Sequence, residues 1–493
     1  MELTTPQLRD SHWIGGNWVK STSDKGIQVH NPSDETHLAT VPAGTLVDAQ
    51  QAARAAANAF PQWSATSLEV RLSFLQQLVA GLEKYADSLA ATITAEVGAP
   101  AQVSRRAQVG LAIGMAASYL EILPAYEYET RVANSIVARE PAGVVAAITP
   151  WNVPLLLILQ KIVPALAVGC TVVLKPSEIT PLNAYLLTEI IADCDLPPGV
   201  FNLVIGEGPT VGRELARSRD IDVVSLTGSV RAGRDITKNA AESIKRVHLE
   251  LGGKNANVVL EDADLALAVR ATVDQVCFNS GQTCLQWSRL LVPRRHHDEA
   301  VALATEVAGN YRVGHPDDPA TDLGPLVSAA HAERVRGYIR SGIEQGAQLA
   351  AGGPDRPAEF DRGHYVRPTV FGNVDPTMTI AQEEIFGPVL SVMPYEDEDD
   401  AVRIANGTPY GLHGAVWAGD TDRGISVARR LRTGLVDVNG GPFNLLAPFG
   451  GFKQSGFGRE CGVAGLESFL ETKSMQLPED SAELTGPRLR AVA

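Results

Sequence analysis

Short apolar strands alternate with helices between residues 143 and 241, and this alternation constrains the fold more than any other feature of the sequence. Each of four β-branched segments precedes a segment with helical spacing of its apolar residues. The predicted strands cover residues 144–149, 171–174, 201–204 and 223–226, and the predicted helices cover 155–168, 182–194, 210–218 and 233–241. The pattern indicates an α/β fold with a doubly wound parallel sheet, in which ligands bind beyond the carboxyl ends of the strands.

A second α/β unit follows and extends to about residue 439. Its helices are predicted near 265–278, 300–308 and 331–346. The residues before the alternation are predicted to form a hairpin-like turn at 13–18, an alanine-rich helix at 46–60, an amphipathic helix to Val97 after the capping-box spacing Thr66-Ser67-Leu68-Glu69, and a helix at 102–120. The polar residues 479–493 are predicted to be frayed.

Charge and hydropathy narrow the class of partner. The net charge of −15 argues against nucleic acid or an anionic membrane as the main partner, because both carry negative charge. Solubility is a sufficient reason for the same charge. The most hydrophobic run, 153–174, is interrupted by Lys161 and by prolines, so we expect a buried helix and strand there and no membrane span.

The cysteines are few and scattered, at Cys170, Cys194, Cys277, Cys284 and Cys461. No two of them have C-x-x-C spacing, so neither a metal site nor a redox dithiol is predicted. Such cysteine usage fits a reducing compartment, and the first residues lack the basic region and apolar core of a secretory signal. We therefore expect a cytoplasmic protein.

One cysteine ends a short polar loop at 278–284. Apolar residues precede this loop, and a predicted strand that stops at Pro293 follows it. Cys284 is therefore expected between a buried helix and a buried strand, where a thiol is held rigidly and can still meet a ligand. Taken alone, a small apolar core residue is the commoner identity of an intracellular cysteine.

Two motifs after strand ends suit a ligand with phosphate and sugar groups. Residues 226–233 place Gly228 and Gly233 between a strand and a helix N-terminus, where anions are favoured, although an ordinary strand–helix turn explains this pattern equally well. The residues of a Walker loop are missing there. Lys175 and Glu178 follow another strand end, where they can bind ribose hydroxyls or form a solvated turn.

Two further residues have the chemistry of a reacting site. Asn152 lies between two prolines just after a strand, so its amide is a rigid hydrogen-bond donor. Glu250 lies on an apolar strand ahead of two glycines, and a carboxyl in apolar surroundings tends to have a raised pKa that suits a general base. Residues 383–388 and 448–460 are dense in glycine, aromatic and charged residues. For Glu250 and these two segments taken singly, a structural turn or a buried ion pair is the alternative.

Seven motifs occur together and in a single order. They are Pro-Trp-Asn at 150–152, Lys-Pro-Ser-Glu at 175–178, Thr-Gly-Ser at 227–229, Glu-Leu-Gly-Gly-Lys at 250–254, Gly-Gln-Thr-Cys at 281–284, Glu-Glu-Ile-Phe-Gly-Pro at 383–388, and the glycine-rich run at 448–460. In this combination the sequence resembles the NAD(P)-dependent aldehyde dehydrogenase superfamily over about residues 13–478. The resemblance changes the expectation for Cys284 from a core residue to a nucleophile.

The resemblance implies a set of catalytic roles. The cysteine that corresponds to Cys284 attacks the aldehyde carbon, and the asparagine that corresponds to Asn152 donates to the oxyanion together with the cysteine's backbone N–H. After hydride transfer to the nicotinamide, the glutamate that corresponds to Glu250 activates the water that hydrolyses the thioester. Lys161 and Glu460 match residues that relay protons, and a structural ion pair is their alternative role.

The resemblance also implies how the cofactor is bound. Lys175 and Glu178 match ribose-binding residues, Ser229 a pyrophosphate contact, and Glu384 and Phe386 contacts beside the nicotinamide. The full expected cofactor set is Thr149, Trp151, Lys175, Ser177, Glu178, Gly208, Gly228, Ser229, Leu251, Glu384 and Phe386. NAD is expected over NADP, because a 2′-phosphate would lie against the carboxylate of Glu178.

The implied architecture has a Rossmann-like cofactor domain, an α/β catalytic domain and a protruding oligomerisation hairpin. The expected bounds are 1–120 and 142–252 for the NAD-binding domain, 253–453 for the catalytic domain, and 121–141 with 454–478 for the oligomerisation and C-terminal segment. A lone hairpin is marginally stable, which agrees with a role in subunit contact. A homodimer or homotetramer is expected.

The substrate side departs from many relatives. Leu285-Gln286-Trp287 follows the cysteine where small residues are common, and Gln160 replaces a tunnel tryptophan. The expected substrate-lining residues are Val153, Leu157, Gln160, Thr283, Leu285, Phe443 and Leu445. None is charged, so we expect an uncharged aldehyde with an aliphatic or aromatic body. The sequence leaves the orientation of Trp287 open.

Two alternative functions are weighed against hydrolytic aldehyde oxidation. A CoA-acylating semialdehyde dehydrogenase would transfer the acyl group to CoA, but that branch lacks the water-activating glutamate, whereas Glu250 is present here. A non-catalytic structural or binding protein would retain the fold alone. The presence of Cys284, Asn152 and Glu250 together argues against it.

Overall fold

A computed structural model of the chain describes residues 9–478, so the predicted frayed tail lies outside the described residues. The strands are β1 Ser11–Ile14, β2 Asn17–Lys20, β3 Gly26–His30, β4 His37–Pro42, β5 Glu129–Val132, β6 Ser135–Pro141, β7 Val144–Ile148, β8 Thr171–Lys175, β9 Phe201–Leu203, β10 Val223–Thr227, β11 Arg246–Glu250, β12 Ala256–Val259, β13 Arg289–Pro293, β14 Gln348–Ala351, β15 Thr369–Gly372, β16 Val389–Tyr395, β17 Gly414–Trp417, β18 Asp437–Val438, β19 Gly456–Phe457 and β20 Leu470–Gln476.

The helices connect these strands. They are α1 Leu46–Ser64, α2 Leu68–Lys84, α3 Ala86–Val97, α4 Ala101–Val103, α5 Gly110–Ala125, α6 Pro154–Val168, α7 Leu182–Ala192, α8 Arg213–Arg217, α9 Val230–Ala240, α10 Leu265–Cys277, α11 His297–Gly309, α12 Ala329–Glu344, α13 Thr379–Gln382, α14 Glu398–Asn406, α15 Thr421–Ala428 and α16 Gly462–Glu467. Two π-helical segments, Ser104–Val109 and Gly208–Gly212, precede α5 and α8.

The first sheet confirms the predicted doubly wound arrangement. Its strand order is β19-β11-β10-β7-β8-β9-β1-β2, and the central strands from β11 to β9 are parallel. From β7 the chain crosses through α6 to β8 and continues to β9 on one side of β7. It then returns to the other side of β7, where β10 pairs with β7 and β11 pairs with β10. The register pairs Ile148 with Lys175 and Thr227 with Glu250, so the residues after these strands meet at one edge of the sheet.

A second sheet supplies the other half of the molecule. Its order is β14-β15-β16-β13-β12-β17-β18, parallel except for β14. The crossover from β12 to β13 contains α10 and, after it, the loop that carries Cys284. This loop therefore lies at the side of the second sheet that faces the first.

A third, three-stranded sheet contains the predicted hairpin. β5 and β6 form this hairpin, and β20 pairs along the whole of β6, in the order β20-β6-β5. Within the segment 454–478, β19 pairs with β11 as the edge of the first sheet, whereas β20 pairs with β6. The bound at residue 120 also falls inside α5, which continues to Ala125.

The long helix predicted to run to Val97 is two helices. α2 ends at Lys84 and α3 begins at Ala86, with Tyr85 between them. The predicted capping box is wrong as well. The Thr66 hydroxyl donates instead to the carbonyl of Trp63, 2.7 Å away at the end of α1. A capping box occurs instead at Thr45, the N-cap of α1, where Asp48 is the partner three residues later. The sequence pattern did not indicate it because that pattern requires Glu or Gln at this position.

The apolar run 153–174 confirms its prediction as a buried helix and strand, since every residue of α6 and β8 is buried. One helix among residues 9–478, Ala101–Ala125, is long and apolar enough to cross a membrane by length and composition alone. Its side chains Ala112, Met115 and Tyr119 are buried in the core that also holds α6. A place in a protein core accounts for that apolar character.

Candidate active site

A cleft of about 730 Å³ lies between the two large sheets. It contains ten of the residues predicted from the sequence: Trp151, Asn152, Leu157, Gly228, Ser229, Glu250, Leu251, Cys284, Glu384 and Phe386. Five other lining residues were missed: Pro150, Thr227, Gly252, His331 and Arg334. The first three of these are members of the motifs at 150–152, 227–229 and 250–254 and were within reach of sequence reasoning, whereas His331 and Arg334 lie on a helix with no distinctive local pattern.

The loop that carries Cys284 has an uncommon backbone. α10 ends at Cys277, and Asn279, Ser280 and Gly281 then take φ values of 51°, 58° and 74°. A β-carbon on Gly281 would lie 2.3 Å from the carbonyl oxygen of Gly387, so glycine is required there. Left-handed residues other than glycine are costly and concentrate at functional sites. The strain marks this loop as one whose geometry is held by its surroundings.

Asn152 faces the same loop. Its Nδ2 donates to the carbonyl of Gln282 at 2.9 Å, and its own carbonyl accepts from Nδ2 of Asn279 at 2.9 Å. An amide nitrogen has two hydrogens, and the bond to Gln282 uses one of them. The other remains for a ligand in the cleft, so Asn152 is a fixed donor beside Cys284.

Glu250 is the last residue of β11 and is 4% exposed. Neither of its carboxylate oxygens has a hydrogen-bond partner within the described chain. Burial, with the negative charge of Glu460 adding to it, raises the pKa of Glu250 well above its usual range, as its apolar strand predicted. Gly450 leaves room for this carboxyl, since a β-carbon there would lie 2.6 Å from Oε1.

Lys161 and Glu460 form a buried ion pair beside the cleft. Nζ of Lys161 contacts Oε1 of Glu460 and also donates to the hydroxyl of Ser225 at 3.3 Å. The second oxygen of Glu460 is buried without a partner among residues 9–478. The pair therefore combines a structural contact with one carboxylate oxygen that is free to bind water.

The surroundings of Cys284 favour its protonated thiol over the thiolate. Burial raises its pKa, and the nearby carboxylates of Glu384 and Glu250 raise it further. Formation of the thiolate at neutral pH therefore needs a base or a positive charge in the cleft. A cationic ligand ring would supply such a charge.

The N-terminus of α9 lies at the cleft wall. Ser229 is its N-cap, and the Ser229 hydroxyl accepts from the backbone N–H of Ala232 at 3.2 Å. Gly228, which has no side chain to cover the approach, lies just before it. Free backbone N–H groups at the start of a helix favour anions, which fits a phosphate-bearing ligand.

Lys175 and Glu178 lie at the neighbouring strand end, outside the lining of the main cleft. Nζ of Lys175 donates to the carbonyl of Pro176 at 2.7 Å and pairs with Glu178 at 3.3 Å. The Thr149 amide donates to the Lys175 carbonyl at 3.0 Å, which joins the two strand ends. Ser177 is buried, and its hydroxyl accepts from Ile179. These contacts fix the side chains for which the resemblance implies ribose binding, and that binding stays a prediction.

The segment from Gly208 to Gly212 completes this end of the surface. A β-carbon on Gly212 would lie 3.7 Å from Cδ of Lys175, whereas one on Gly208 would meet open space. Gly212 therefore lies next to the Lys175 side chain, whereas Gly208, four residues earlier, faces open space. Its position is consistent with the predicted cofactor contact, and the contact itself stays a prediction.

Glu384 and Phe386 also line the cleft. Glu384 accepts from the backbone N–H of Gly253 at 3.0 Å, and burial raises the pKa of Glu384 to about 7. Phe386 has a φ of 66°, and its ring meets the edge of Trp151. Nε2 of His331 lies 2.7 Å from the Phe386 carbonyl and donates to it. Burial lowers the pKa of His331 to about 4, so this ring is neutral.

Among the predicted substrate residues, Leu157 lines the cleft and the others lie outside its lining. Gln160, one turn after Leu157 on α6, donates from Nε2 to the sulfur of Cys461 at 3.3 Å. Oε1 of Gln160 and Oγ1 of Thr283 are buried without a partner in the part of the chain that the structure describes. Polar but uncharged groups are therefore part of this region.

The other predicted substrate residues differ in exposure. Leu285 packs, together with Cys284, on a small apolar cluster of Leu412, Phe449 and Cys461. Phe443 is 37% exposed and its ring lies 6.0 Å from that of Phe449. Val153 is the N-cap of α6 and packs, like Leu445, on the core of the first sheet.

The structure settles the orientation of Trp287. Its side chain is buried at 3% exposure, and its indole N–H donates to Nδ1 of His413 at 3.3 Å. Trp287 is therefore directed at β17 and β18 of the second sheet. Over residues 9–478 no group of three or more His, Cys, Asp or Glu could hold a metal ion.

Comparison with known proteins gives one consistent result. The model of the aldehyde dehydrogenase family matches residues 18–475. The chain is 46% identical over 470 residues to a 3-succinoylsemialdehyde-pyridine dehydrogenase from a Pseudomonas species, covering 95% of this chain and 98% of that protein.

Two solved structures are similar over nearly the whole chain. One is a cysteine-to-alanine mutant of aldehyde dehydrogenase C from Pseudomonas syringae in complex with NAD+ and octanal, at 45% identity, a TM-score of 0.94, and coverage of 95% of this chain and 96% of that one. The other is an aldehyde dehydrogenase from Mycobacterium tuberculosis in complex with NAD+, at 41% identity, a TM-score of 0.94, and coverage of 96% and 99%.

Proposed function

Since the chain belongs to the aldehyde dehydrogenase family and is an NAD-dependent enzyme that oxidises aldehydes to carboxylic acids, we propose that its substrate is an uncharged aldehyde with an aliphatic or aromatic body. We propose further that Cys284, Asn152 and Glu250 carry the chemistry. The observation behind the proposal is that these three side chains line one cleft, although Glu250 and Cys284 lie 98 and 132 positions after Asn152 in the sequence.

Cys284 is the nucleophile in this proposal. Its thiolate attacks the carbonyl carbon and forms a thiohemiacetal, while the second N–H of Asn152 and the Cys284 backbone N–H stabilise the oxyanion. NAD+, when bound, accepts the hydride and brings a positive ring that favours the thiolate. The residues that would hold it are those at Lys175 and Glu178, at the α9 N-terminus, and at Glu384.

Glu250 is the base for the second half of the reaction. Its carboxyl has no hydrogen-bond partner among the described residues, so it is free to accept a proton from water. The resulting hydroxide attacks the thioester carbonyl, which releases the acid and restores the Cys284 thiolate. Glu460 and Lys161 then pass the proton on, and the unpartnered Glu460 oxygen supports that role.

The absence of charge at the predicted substrate residues supports a neutral substrate. Charged substrates would lie against Leu157 and Leu285 with no counter-ion among the predicted substrate residues, and a buried unpaired charge costs several kcal/mol, roughly 3–5 where a partner is removed. The P. syringae structure contains octanal, and the Pseudomonas relative is named for an aldehyde that bears a pyridine ring. Both names agree with an apolar aliphatic or aromatic body.

A series of aldehydes tests the proposal. NADH formation is measured for straight-chain aldehydes from acetaldehyde to octanal, with benzaldehyde, succinate semialdehyde and betaine aldehyde beside them. Each buried methylene is worth about 0.8 kcal/mol, so KM should fall with chain length until the tunnel is filled. A higher kcat/KM for either charged aldehyde than for every neutral one would refute the proposal. A rate that requires added CoA would favour acyl transfer to CoA over hydrolysis.

We also propose a homodimer or homotetramer that forms through the three-stranded sheet. β5 and β20 are its outer strands, and within residues 9–478 each pairs on one side only. An unpaired strand edge is a template for another chain. Light scattering after gel filtration measures the mass directly, and a monomer would refute this assembly.

A cytoplasmic location, which the unpaired cysteines support, is tested by assaying NADH formation in cell fractions.

A further inference from the structure

The backbone carbonyls of Cys284, Leu285 and Gln286 are each held by a side-chain donor that directly precedes a strand of the second sheet. Nδ2 of Asn255 donates to the carbonyl of Cys284 at 2.7 Å and to that of Gln286 at 2.9 Å. Nδ1 of His413 lies 3.0 Å from the carbonyl of Leu285 between them. Asn255 and His413 therefore fix the backbone of the residues after the nucleophile.

His413 is itself part of a longer chain of contacts. Its side chain is 3% exposed, and its Nε2 lies 2.9 Å from Oδ2 of Asp437. Its backbone N–H donates to Oδ1 of Asn255 at 3.1 Å, which connects the two donors. The indole N–H of Trp287 also approaches Nδ1, at 3.3 Å. Nδ1 thus has both a carbonyl and an N–H group as neighbours.

These two neighbours require opposite states of the same nitrogen. A carbonyl only accepts and an indole N–H only donates, so Nδ1 must carry a proton to bond Leu285 and must lack one to bond Trp287. The carboxylate of Asp437 accepts from Nε2 in either case. The imidazolium therefore holds the Leu285 carbonyl, whereas the neutral ring bonds the indole and releases that carbonyl.

We propose that His413, in its imidazolium form, is a positioning residue that fixes the loop on which Cys284 attacks the aldehyde. The inference rests on the proposed role of Cys284, to which His413 is joined through Leu285. Asp437 stabilises the imidazolium, and Trp287 stabilises the neutral ring. The ring acts on the reaction through the backbone and touches neither substrate nor cofactor.

Other charged or titratable groups lie near His413 and bear on its pH dependence. Lys254, Arg289 and Tyr410 line a cavity next to it, and Cys284 belongs to the loop itself. Burial and the charge of Arg289 lower the pKa of Lys254 to about 7, and burial raises that of Tyr410 to about 12.

Two substitutions at His413 test the inference. His413→Leu removes the donor to Leu285, and His413→Gln replaces it with a neutral amide that donates at every pH. A small misplacement of reacting groups can cost about 100-fold, so we expect His413→Leu to lower kcat by about 10- to 100-fold at low pH with little change in KM or NAD binding. His413→Gln should restore part of the loss.

The pH dependence separates positioning by the imidazolium from general packing. Only the imidazolium has the Nδ1 proton that binds the Leu285 carbonyl, so the ratio of wild-type to His413→Leu activity should be larger at the acid end of the measured pH range than at the alkaline end. Ionisation of Cys284, Glu250 and Lys254 affects both proteins and cancels in the ratio. A ratio that does not fall with pH, or a value within twofold of unity throughout, would overturn the inference.

Two further variants complete the test. His297, on α11, is a buried histidine whose Nε2 accepts from the backbone N–H of Asn373 at 2.9 Å. His297→Gln is therefore the matched control, and it should keep kcat. Trp287→Phe removes the N–H that favours the neutral ring, so its activity relative to wild type should increase with pH. If His413→Leu does not fold, an unchanged pH profile in Trp287→Phe still overturns the inference. Loss of activity in Cys284→Ala tests the underlying role of the thiol separately.

Discussion

Replacing Asn152 with alanine isolates the contribution of one hydrogen-bond donor to the reaction. Asn152 is 4% exposed, and one hydrogen of its Nδ2 is bound to the carbonyl of Gln282. The other hydrogen is the one assigned to the oxyanion. Because Asn152 is fixed before the substrate arrives, its donor needs no reorganisation as charge develops on the substrate oxygen.

The size of the effect follows from that single donor. Loss of one oxyanion donor costs about 2.7–4 kcal/mol, which corresponds to a kcat lower by about 100- to 1000-fold. The effect on folding should be smaller. The Gln282 carbonyl still accepts from Asn279 at 3.3 Å in Asn152→Ala, so the lost bond should cost about 1 kcal/mol of unfolding free energy.

The assay combines rate, binding and stability. The burst of NADH after rapid mixing with aldehyde gives the rate of hydride transfer, and NAD affinity and thermal unfolding are measured on the same protein. Asn257→Ala is the matched control, because Asn257 is also fully buried and its Nδ2 donates to the hydroxyl of Thr272 at 2.7 Å on the other side of β12. It should lose similar stability and keep its kcat.

Two results would refute the reasoning about Asn152. One is a kcat within about fivefold of wild type in a folded Asn152→Ala protein that binds NAD normally, a loss of only about 1 kcal/mol. The other is full activity in Asn152→Asp, since a carboxylate in place of the amide removes the donor and adds charge that repels the oxyanion.

Three other substitutions have clear expected outcomes. Cys284→Ala should abolish NADH formation while NAD binding stays nearly unchanged in calorimetry, and substantial remaining turnover would contradict its assignment. Glu250→Gln should slow deacylation by about 100-fold or more, so that mass spectrometry detects an acyl adduct on Cys284; full turnover would mean that another base acts. Because its pKa is raised, the wild-type deacylation rate should increase with pH as Glu250 ionises, and this increase should vanish in the variant. Glu178→Ser should narrow the preference for NAD over NADP in kcat/KM, and equal values for the two cofactors in the wild type would disprove that preference.

The order of strands and helices could be predicted where local pattern and burial agree. The strands β7, β8, β9 and β10 are buried throughout and rich in apolar residues because both faces of the first sheet are covered, so they are recognisable from composition. Predictions failed where a side chain forms a local hydrogen bond that no sequence motif indicates. The Thr66 hydroxyl bonds back to α1, and the chain turns at Tyr85 without a glycine or proline.

The two-residue strand β19 could not have been found in the sequence. Gly456-Phe457 is too short to have a periodicity, and its pairing partner, β11, lies about two hundred residues earlier. Strand pairing at such a separation is decided by the position of the whole second sheet. The same holds for His331 and Arg334, which reach the cleft because α12 packs beside Phe386.

The sequence by itself predicted the reacting groups of this protein. Cys284, Asn152 and Glu250 lie in motifs whose combination and order resemble the aldehyde dehydrogenase family, and that resemblance implies a nucleophile, a donor and a base. Only the tertiary structure decided their environment. The raised pKa of Glu250, the free hydrogen of Asn152 and the contact of Trp287 with His413, 126 positions away, depend on which groups the fold brings near and which it shields from water.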